Sequence, residues 1–258
     1  MKEVVLGIDL QLDFCNPEGC LFVKNADVDV QNIRSFILRK INDIDAIIMS
    51  MDSHQPVHIA HDIYWRNARG EKPKLFDAIT KADVENGNWI PQYNKALALD
   101  YLTKLETGGD VCTIWPPHCI IGTEGWSIDT TIFDAVSQWT VASGRPYELI
   151  NKGMYQAAEH YSIFRAAVEY PETKATLFND ALLDRLKTFD KIYIAGEAAD
   201  FCVANSLNDL LQNAPELAPR ICMLTDCMSY IVPHNPKARK IFGRAKELGV
   251  EFHISTKL

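Results

Sequence analysis

Short runs that are apolar at successive positions recur along this chain, and between them apolar residues return every three or four positions. Val4–Asp9 and Ile44–Ser50 are such runs; neither face of either could be left in water, so both read as strands buried on two sides. Between them Val30, Ile33, Ile37 and Ile41 recur at helix spacing. The alternation resumes with a helix over Thr130–Trp139, a strand from Tyr147 through Ile150, and a helix over Asn179–Phe189. A strand at Lys191–Gly196, a helix over Cys202–Gln212, a strand at Ile221–Thr225, a helix over Lys237–Leu248 and a strand at Val250–Ile254 complete it. This pattern predicts the α/β class: a single doubly wound, mostly parallel sheet with helices on both faces, one domain over residues 1–258. Residues 62–112 interrupt it with a polar stretch rich in Gly and Pro, in which only Lys95–Leu105 reads as helix. So long a loop does not suit a compact domain, and it reads as a partly ordered insertion, a lid or an oligomer contact.

Composition narrows the partners. The 258 residues are 47% hydrophobic, and 26 basic against 34 acidic side chains leave a net charge of −8. That balance argues against a nucleic-acid backbone or an anionic membrane surface as partner. The seven cysteines, at 15, 20, 112, 119, 202, 222 and 227, show no CxxC pair and read as reduced thiols. The N-terminal apolar run is too short for a signal-peptide core, and no stretch approaches a membrane span, so the cytoplasm is the expected location.

Five clusters carry chemistry, most of them at strand ends, where open α/β sheets place ligands. Asp9 closes the first strand, with Gln11, Asp13 and Phe14 following; a carboxylate there is costly unless paired, although a turn cap is the plain alternative. Asp52 and His54 follow the second strand, and in extended chain their side chains share one side, a spacing that suits zinc, manganese or iron. His118 sits in Trp115-Pro116-Pro117-His118-Cys119, where two prolines stiffen its approach and it makes a third ligand; His58 is a weaker candidate and His61 weaker still. Lys152 ends a strand and, if buried beside Asp9, would be a fixed cation able to lower a thiol's pKa; a snorkelling surface lysine is the alternative. Most specific is Ile194-Ala195-Gly196-Glu197-Ala198-Ala199-Asp200-Phe201-Cys202, a strand turning through small residues into a helix with Cys202 in its first turn.

In order and spacing the segments GIDLQLDF (7–14), Asp52-x-His54, WPPHC (115–119), NKG…YSIF (151–164) and AGEAADFCVA (195–204) resemble the isochorismatase-like cysteine hydrolase superfamily, and within it the nicotinamidases. The resemblance implies a Rossmann-like fold and a catalytic triad of Asp9, Lys152 and Cys202. It implies an oxyanion hole from the backbone of Ala198 and Cys202, the former after a cis peptide at Glu197, and ring-binding aromatics Phe14, Trp115 and Tyr161. Asp52, His54 and His118 fall on the ligands of one divalent metal ion, zinc first with manganese or iron as alternatives. The implied activity is hydrolysis of nicotinamide to nicotinate and ammonia through a cysteine thioester, a step of NAD salvage and pyridine nucleotide biosynthesis, with a small-molecule amide substrate and a homo-oligomeric assembly. Rival readings are a related cysteine amidase acting on another small amide or carbamoyl compound, and a metal-water hydrolase. The loop before the nucleophile departs from the usual G-x-A-T-D: Glu197 adds a charge and Ala199 removes a hydroxyl, both expected close to the pocket.

Overall fold

The computed structural model describes residues 1–258. β1 (Glu3–Ile8) lies parallel to β2 (Ile44–Asp52), with Val4 opposite Ala46 and Gly7 opposite Met49. β3 (Glu148–Lys152) extends the sheet beyond β2; on the other side of β1 come β4 (Lys191–Gly196), β5 (Ile221–Leu224) and β6 (Glu251–His253). All six strands are parallel, in the order β6-β5-β4-β1-β2-β3. The chain winds outward from β1 to β3, crosses back to β4 and winds out the other way. An open α/β sheet leaves a crevice outside the carboxyl ends of its strands where the order reverses, here between β1 and β4.

The helices are α1 (Ala26–Arg39), α2 (Lys95–Thr107), α3 (Thr130–Ser143), α4 (Asp180–Lys187), α5 (Ala204–Asn213) and α6 (Pro236–Glu247). Val5, Ile47 and Met49 pack with Ile33 and Phe36 of α1 and with Ile132 and Trp139 of α3. The alternate strand residues Leu6, Ile8, Ile48 and Ile194 pack with Leu186 of α4, Leu207 of α5 and Phe242 of α6. Each such side chain stabilises the fold by about 1.5–3 kcal/mol when buried. Helices therefore cover both faces of one sheet, as the two-sided apolar strands predict. No helix is long and apolar enough to cross a membrane.

Two segments differ from the sequence expectation. Helix α5 begins at Ala204 rather than Cys202, because Ala199–Val203 winds as a π-helical turn ahead of it. Apolar periodicity does not register one extra residue in a turn. The 62–112 stretch is more built than expected. Trp65–Arg66 pairs with Ile90–Pro91 and Ala78–Ile79 with Cys112–Thr113, while a capping box of Thr80 and Asp83 starts the short helix Lys81–Glu85. Trp65, Tyr101, Leu102 and Ile114 centre a separate apolar cluster that also takes in Ala158, Val168 and Tyr170. Strands two residues long carry no readable period.

Gly196 ends β4 with φ +128°, and a Cβ there would lie 2.0 Å from the Ile8 carbonyl oxygen. Gly196→Ala is therefore expected to cost at least about 3 kcal/mol, since neither the backbone conformation nor the space admits a side chain. A lowered urea midpoint with unchanged slope would show it; an unchanged midpoint would contradict it.

Candidate active site

Three strands deliver acidic and basic residues to one point. Asp9 follows β1, while Asp52 and Lys152 end β2 and β3 as direct neighbours across the sheet. The Lys152 Nζ lies 2.9 Å from Asp9 Oδ2 and 3.1 Å from Asp52 Oδ1, and donates to the His160 carbonyl at 2.9 Å. Asp9 is fully buried, Asp52 3% and Lys152 2% exposed, so each charge would be very costly without the others. Burial alone would push the lysine down, but Asp52 and Asp9 hold its ammonium well above the usual lysine value. Burial likewise pushes Asp52 up, yet His54 and Lys152 overcome it and keep that carboxyl well below the usual range. For Asp9 burial wins: its pKa is raised in spite of Lys152.

Neighbouring polar groups set the two carboxylates. Ser50 Oγ donates to Asp9 Oδ1 at 2.6 Å and accepts the Asp9 N–H at 3.1 Å. Gln11 acts as a surrogate strand edge: its Oε1 accepts the Asp52 N–H at 2.7 Å and its Nε2 donates to the Asp52 carbonyl at 2.8 Å. Gly153, at φ +75°, leaves this corner open, because a Cβ there would lie 2.6 Å from Asp52 Oδ1.

Cys202 reaches the same point from β4 through the π-helical turn. Burial pushes its thiol well up, the Lys152 ammonium only opposes this, and the nearby Asp9 and Asp52 carboxylates add to the rise. The resting sulfur is thus a thiol that needs a base, and burial outweighs the thiolate-favouring pull of Lys152 and the helix terminus. Over Cys202 lies a cavity of about 20 Å³ lined by Phe14, Trp115, Tyr161, Ala198, Phe201 and Ile231, with Asp52, His118 and Glu159 also on its wall. That is room for about one ordered water. Trp115 Nε1 donates to Tyr161 Oη at 3.1 Å and packs edge-on against Phe201, which braces this wall. The Glu197–Ala198 peptide is cis.

The histidines gather beside Asp52. His54 Nε2 and His118 Nε2 lie 3.1 and 3.4 Å from Asp52 Oδ2. Two ligand atoms of one tetrahedral zinc ion lie roughly 3.4 Å apart, and both Asp52–histidine distances are close to that value. His118 Nδ1 donates to the Pro116 carbonyl at 2.7 Å, which leaves the Nε2 lone pair directed inward, as in many metal sites. His54 and the WPPHC loop are laced together: the His54 N–H donates to the Cys119 carbonyl at 3.0 Å and the Trp115 N–H to the Ala60 carbonyl at 2.8 Å. His58 and His61 differ. Ala60 N–H donates to His58 Nδ1 at 3.2 Å and the other ring nitrogen meets the Ala158 carbonyl at 3.3 Å, so both His58 nitrogens have backbone partners. Both His61 nitrogens are buried without a partner, and burial lowers that imidazole to about 2, so its lone pair is free near neutral pH. His54, His61 and His118 offer donor atoms within 4.8 Å of one another, as do His54, His58 and Glu159.

The structure brings Asp9, Asp52, His54, His118, Lys152 and Cys202 together around one point, with Phe14, Trp115 and Tyr161 on the cavity wall, while Asp13 instead accepts the Cys119 N–H at 2.6 Å. Glu197 and Ala199 are buried away from the cavity wall, so neither the added charge nor the missing hydroxyl borders it. Glu159, which does border it, and Ser50, which orients Asp9, carry no sequence signal beyond polar residues near strand ends. Replacing Lys152 by Met leaves two buried carboxylates facing each other and is expected to cost about 3–5 kcal/mol, read by urea unfolding. An unchanged stability would show that the ammonium is not their counter-charge.

No family model matches the chain. Among curated proteins, the nicotinamidase of Saccharomyces cerevisiae is 23% identical over 203 residues, covering 79% of this chain and 78% of the relative. The nicotinamidase of Escherichia coli is 25% identical over 230 residues, covering 87% and 81%. Among solved structures, the nicotinamidase/pyrazinamidase of Acinetobacter baumanii superposes with a TM-score of 0.65 at 21% identity, covering 99% of this chain and 97% of that one. The pyrazinamidase of Pyrococcus horikoshii in complex with zinc superposes with a TM-score of 0.58 at 18% identity, covering 98% and 99%. In sequence the chain is similar to curated nicotinamidases, and it shares the fold of solved nicotinamidases and pyrazinamidases.

Proposed function

We propose that the chain is an amidohydrolase that converts nicotinamide to nicotinate and ammonia, with Asp9, Lys152 and Cys202 as its catalytic residues. The observation that carries this reading is the meeting of a buried thiol with a buried carboxylate whose pKa is raised and a lysine held between two acids. The likeness to the yeast and Escherichia coli nicotinamidases supports the substrate.

Asp9 takes the proton from Cys202 as the sulfur attacks the carboxamide carbon. The carbonyl oxygen becomes an oxyanion facing the backbone N–H groups of Ala198 and Cys202, and one such donor is typically worth about 10²–10³ in rate. Protonated Asp9 then gives its proton to the leaving nitrogen, ammonia departs and a thioester remains on Cys202. Water enters, loses a proton to Asp9 and attacks the thioester; acid leaves and the sulfur recovers its proton. Lys152 keeps Asp9 oriented through both halves and offsets its charge when it is ionised. Phe14, Trp115 and Tyr161 form the slot for the ring. Asp52, His54 and His118 would hold a divalent ion, zinc by the chemistry of the donor set, with His61 as the further free donor; bound there it supplies an electrophilic anchor for a ring nitrogen.

With nicotinamide as substrate, ammonia release is expected from the wild type, and Cys202→Ala is expected to lose about 10⁴-fold or more. A Cys202→Ala protein as active as wild type would refute the cysteine mechanism and favour metal-activated water. His118→Ala is expected to lower bound divalent metal at least about tenfold by elemental analysis of the purified protein; unchanged content would remove His118 from the ligand set.

A further inference from the structure

We infer that Glu197 and Asp29 share one proton across the contact between α1 and the loop leading to Cys202, and that this carboxylic acid–carboxylate pair is a positioning device for that loop. The shared proton stands independently of the proposed function; only the assignment of the loop's N–H groups to a substrate oxygen rests on it.

Glu197 follows the last residue of β4 and is fully buried; its N–H donates to the Ile8 carbonyl at 2.8 Å. Its side chain is absent from the cavity wall and is held on Ser229 together with the carboxyl of Asp29, which lies in the first turn of α1 and is 6% exposed. Ser229 sits against both acids. Its N–H donates to Glu197 Oε2 at 3.2 Å, its Oγ donates to Asp29 Oδ2 at 2.5 Å, and its carbonyl accepts the Ala199 N–H at 2.7 Å.

The other Glu197 oxygen, Oε1, is buried with no donor to satisfy it. As a carboxylate oxygen it would be an uncompensated buried acceptor beside a second carboxylate. As the hydroxyl of a carboxylic acid it has a partner, because Asp29 can accept its proton. The charges around the pair favour this assignment. The titratable groups facing it are Asp27 on α1, Asp226 and Cys227 in the turn after β5, Asp200 in the nucleophile turn, and Cys15 in the helical turn Leu12–Cys15. None of them is a cation. Asp200 is itself engaged by the N–H groups of Ile231 and Val232, at 2.9 and 3.0 Å. Burial, and then each other's charge, push Glu197 well above the usual range. Two buried carboxyls held on one serine without a counter-ion hold one proton between them. The pair thereby ties α1 and the 226–232 turn to the backbone that runs from Gly196 to Cys202.

The sign of the pH effect follows. The folded chain keeps a proton that unfolded glutamate loses above about pH 4.3, so stability falls as pH rises from there towards the folded value. Glu197→Gln removes this loss, because an amide donates to Asp29 and accepts from Ser229 without titrating. Asp29→Asn does the same from the other side. Melting temperatures of wild type, Glu197→Gln and Asp29→Asn measured between about pH 5 and 9 are expected to diverge. Wild type should fall behind both variants by about 3 °C or more at the alkaline end. Infrared spectra near neutral pH should show a protonated-carboxyl carbonyl band in wild type that Glu197→Gln lacks. Parallel melting curves, or no band that depends on Glu197, would overturn the shared proton. For the positioning role, kcat on nicotinamide should decline at alkaline pH in wild type and hold in Glu197→Gln, with KM alike; identical kcat profiles would overturn that role. If nicotinamide is not turned over, the melting and infrared results still decide the shared proton, and the functional reading fails separately.

Discussion

One buried ammonium organises the centre of this molecule. Lys152 lies between Asp9 and Asp52 with almost no solvent access, and none of the three charges could stay in the interior without the other two. The parallel sheet makes the arrangement feasible. Strands β1, β2 and β3 are adjacent, so residues at their carboxyl ends converge without long loops. The reversal of strand order between β1 and β4 then brings the end of β4, and with it Cys202, to the same crevice. A lysine in this place serves two neighbours at once: Asp9, which faces the thiol, and Asp52, which faces the histidines.

The two acids end with opposite proton affinities although both are buried. Asp52 is flanked by His54 as well as Lys152 and stays strongly ionised. Asp9 shares only the lysine, receives a hydrogen bond from Ser50 and feels the negative charge of Asp52, so burial dominates and its proton affinity rises. A carboxylate so raised is suited to take a proton from a thiol that burial has made reluctant to ionise. Two carboxylates on neighbouring strands are thus left with opposite proton affinities.

Most of the sheet was legible in the sequence because its strands are apolar on both faces, a pattern that only a doubly covered sheet accommodates. The residues of the site were legible because each sits where an apolar run stops on a polar side chain, as at Asp9, Asp52 and Lys152. What stayed hidden depended on packing in space. Glu197 reads as a charge near the pocket, yet the fold seats it with Asp29 on Ser229, far from both in the chain. His58 and His61 look alike in sequence; backbone groups of Ala60 and Ala158 engage one and leave the other free. The insertion at 62–112 builds its core with residues from 158–170, which no local pattern connects to it.

The central claim is that Cys202 forms a covalent bond to the substrate acyl group with Asp9 as its proton acceptor. Intact-protein and peptide mass spectrometry after rapid acid quench of a reaction with excess nicotinamide tests it most directly. The account predicts a nicotinoyl group on the peptide that carries Cys202, absent in the Asp9→Asn protein. Continued ammonia release with no adduct at any quench time, and undiminished release by Asp9→Asn, would contradict it.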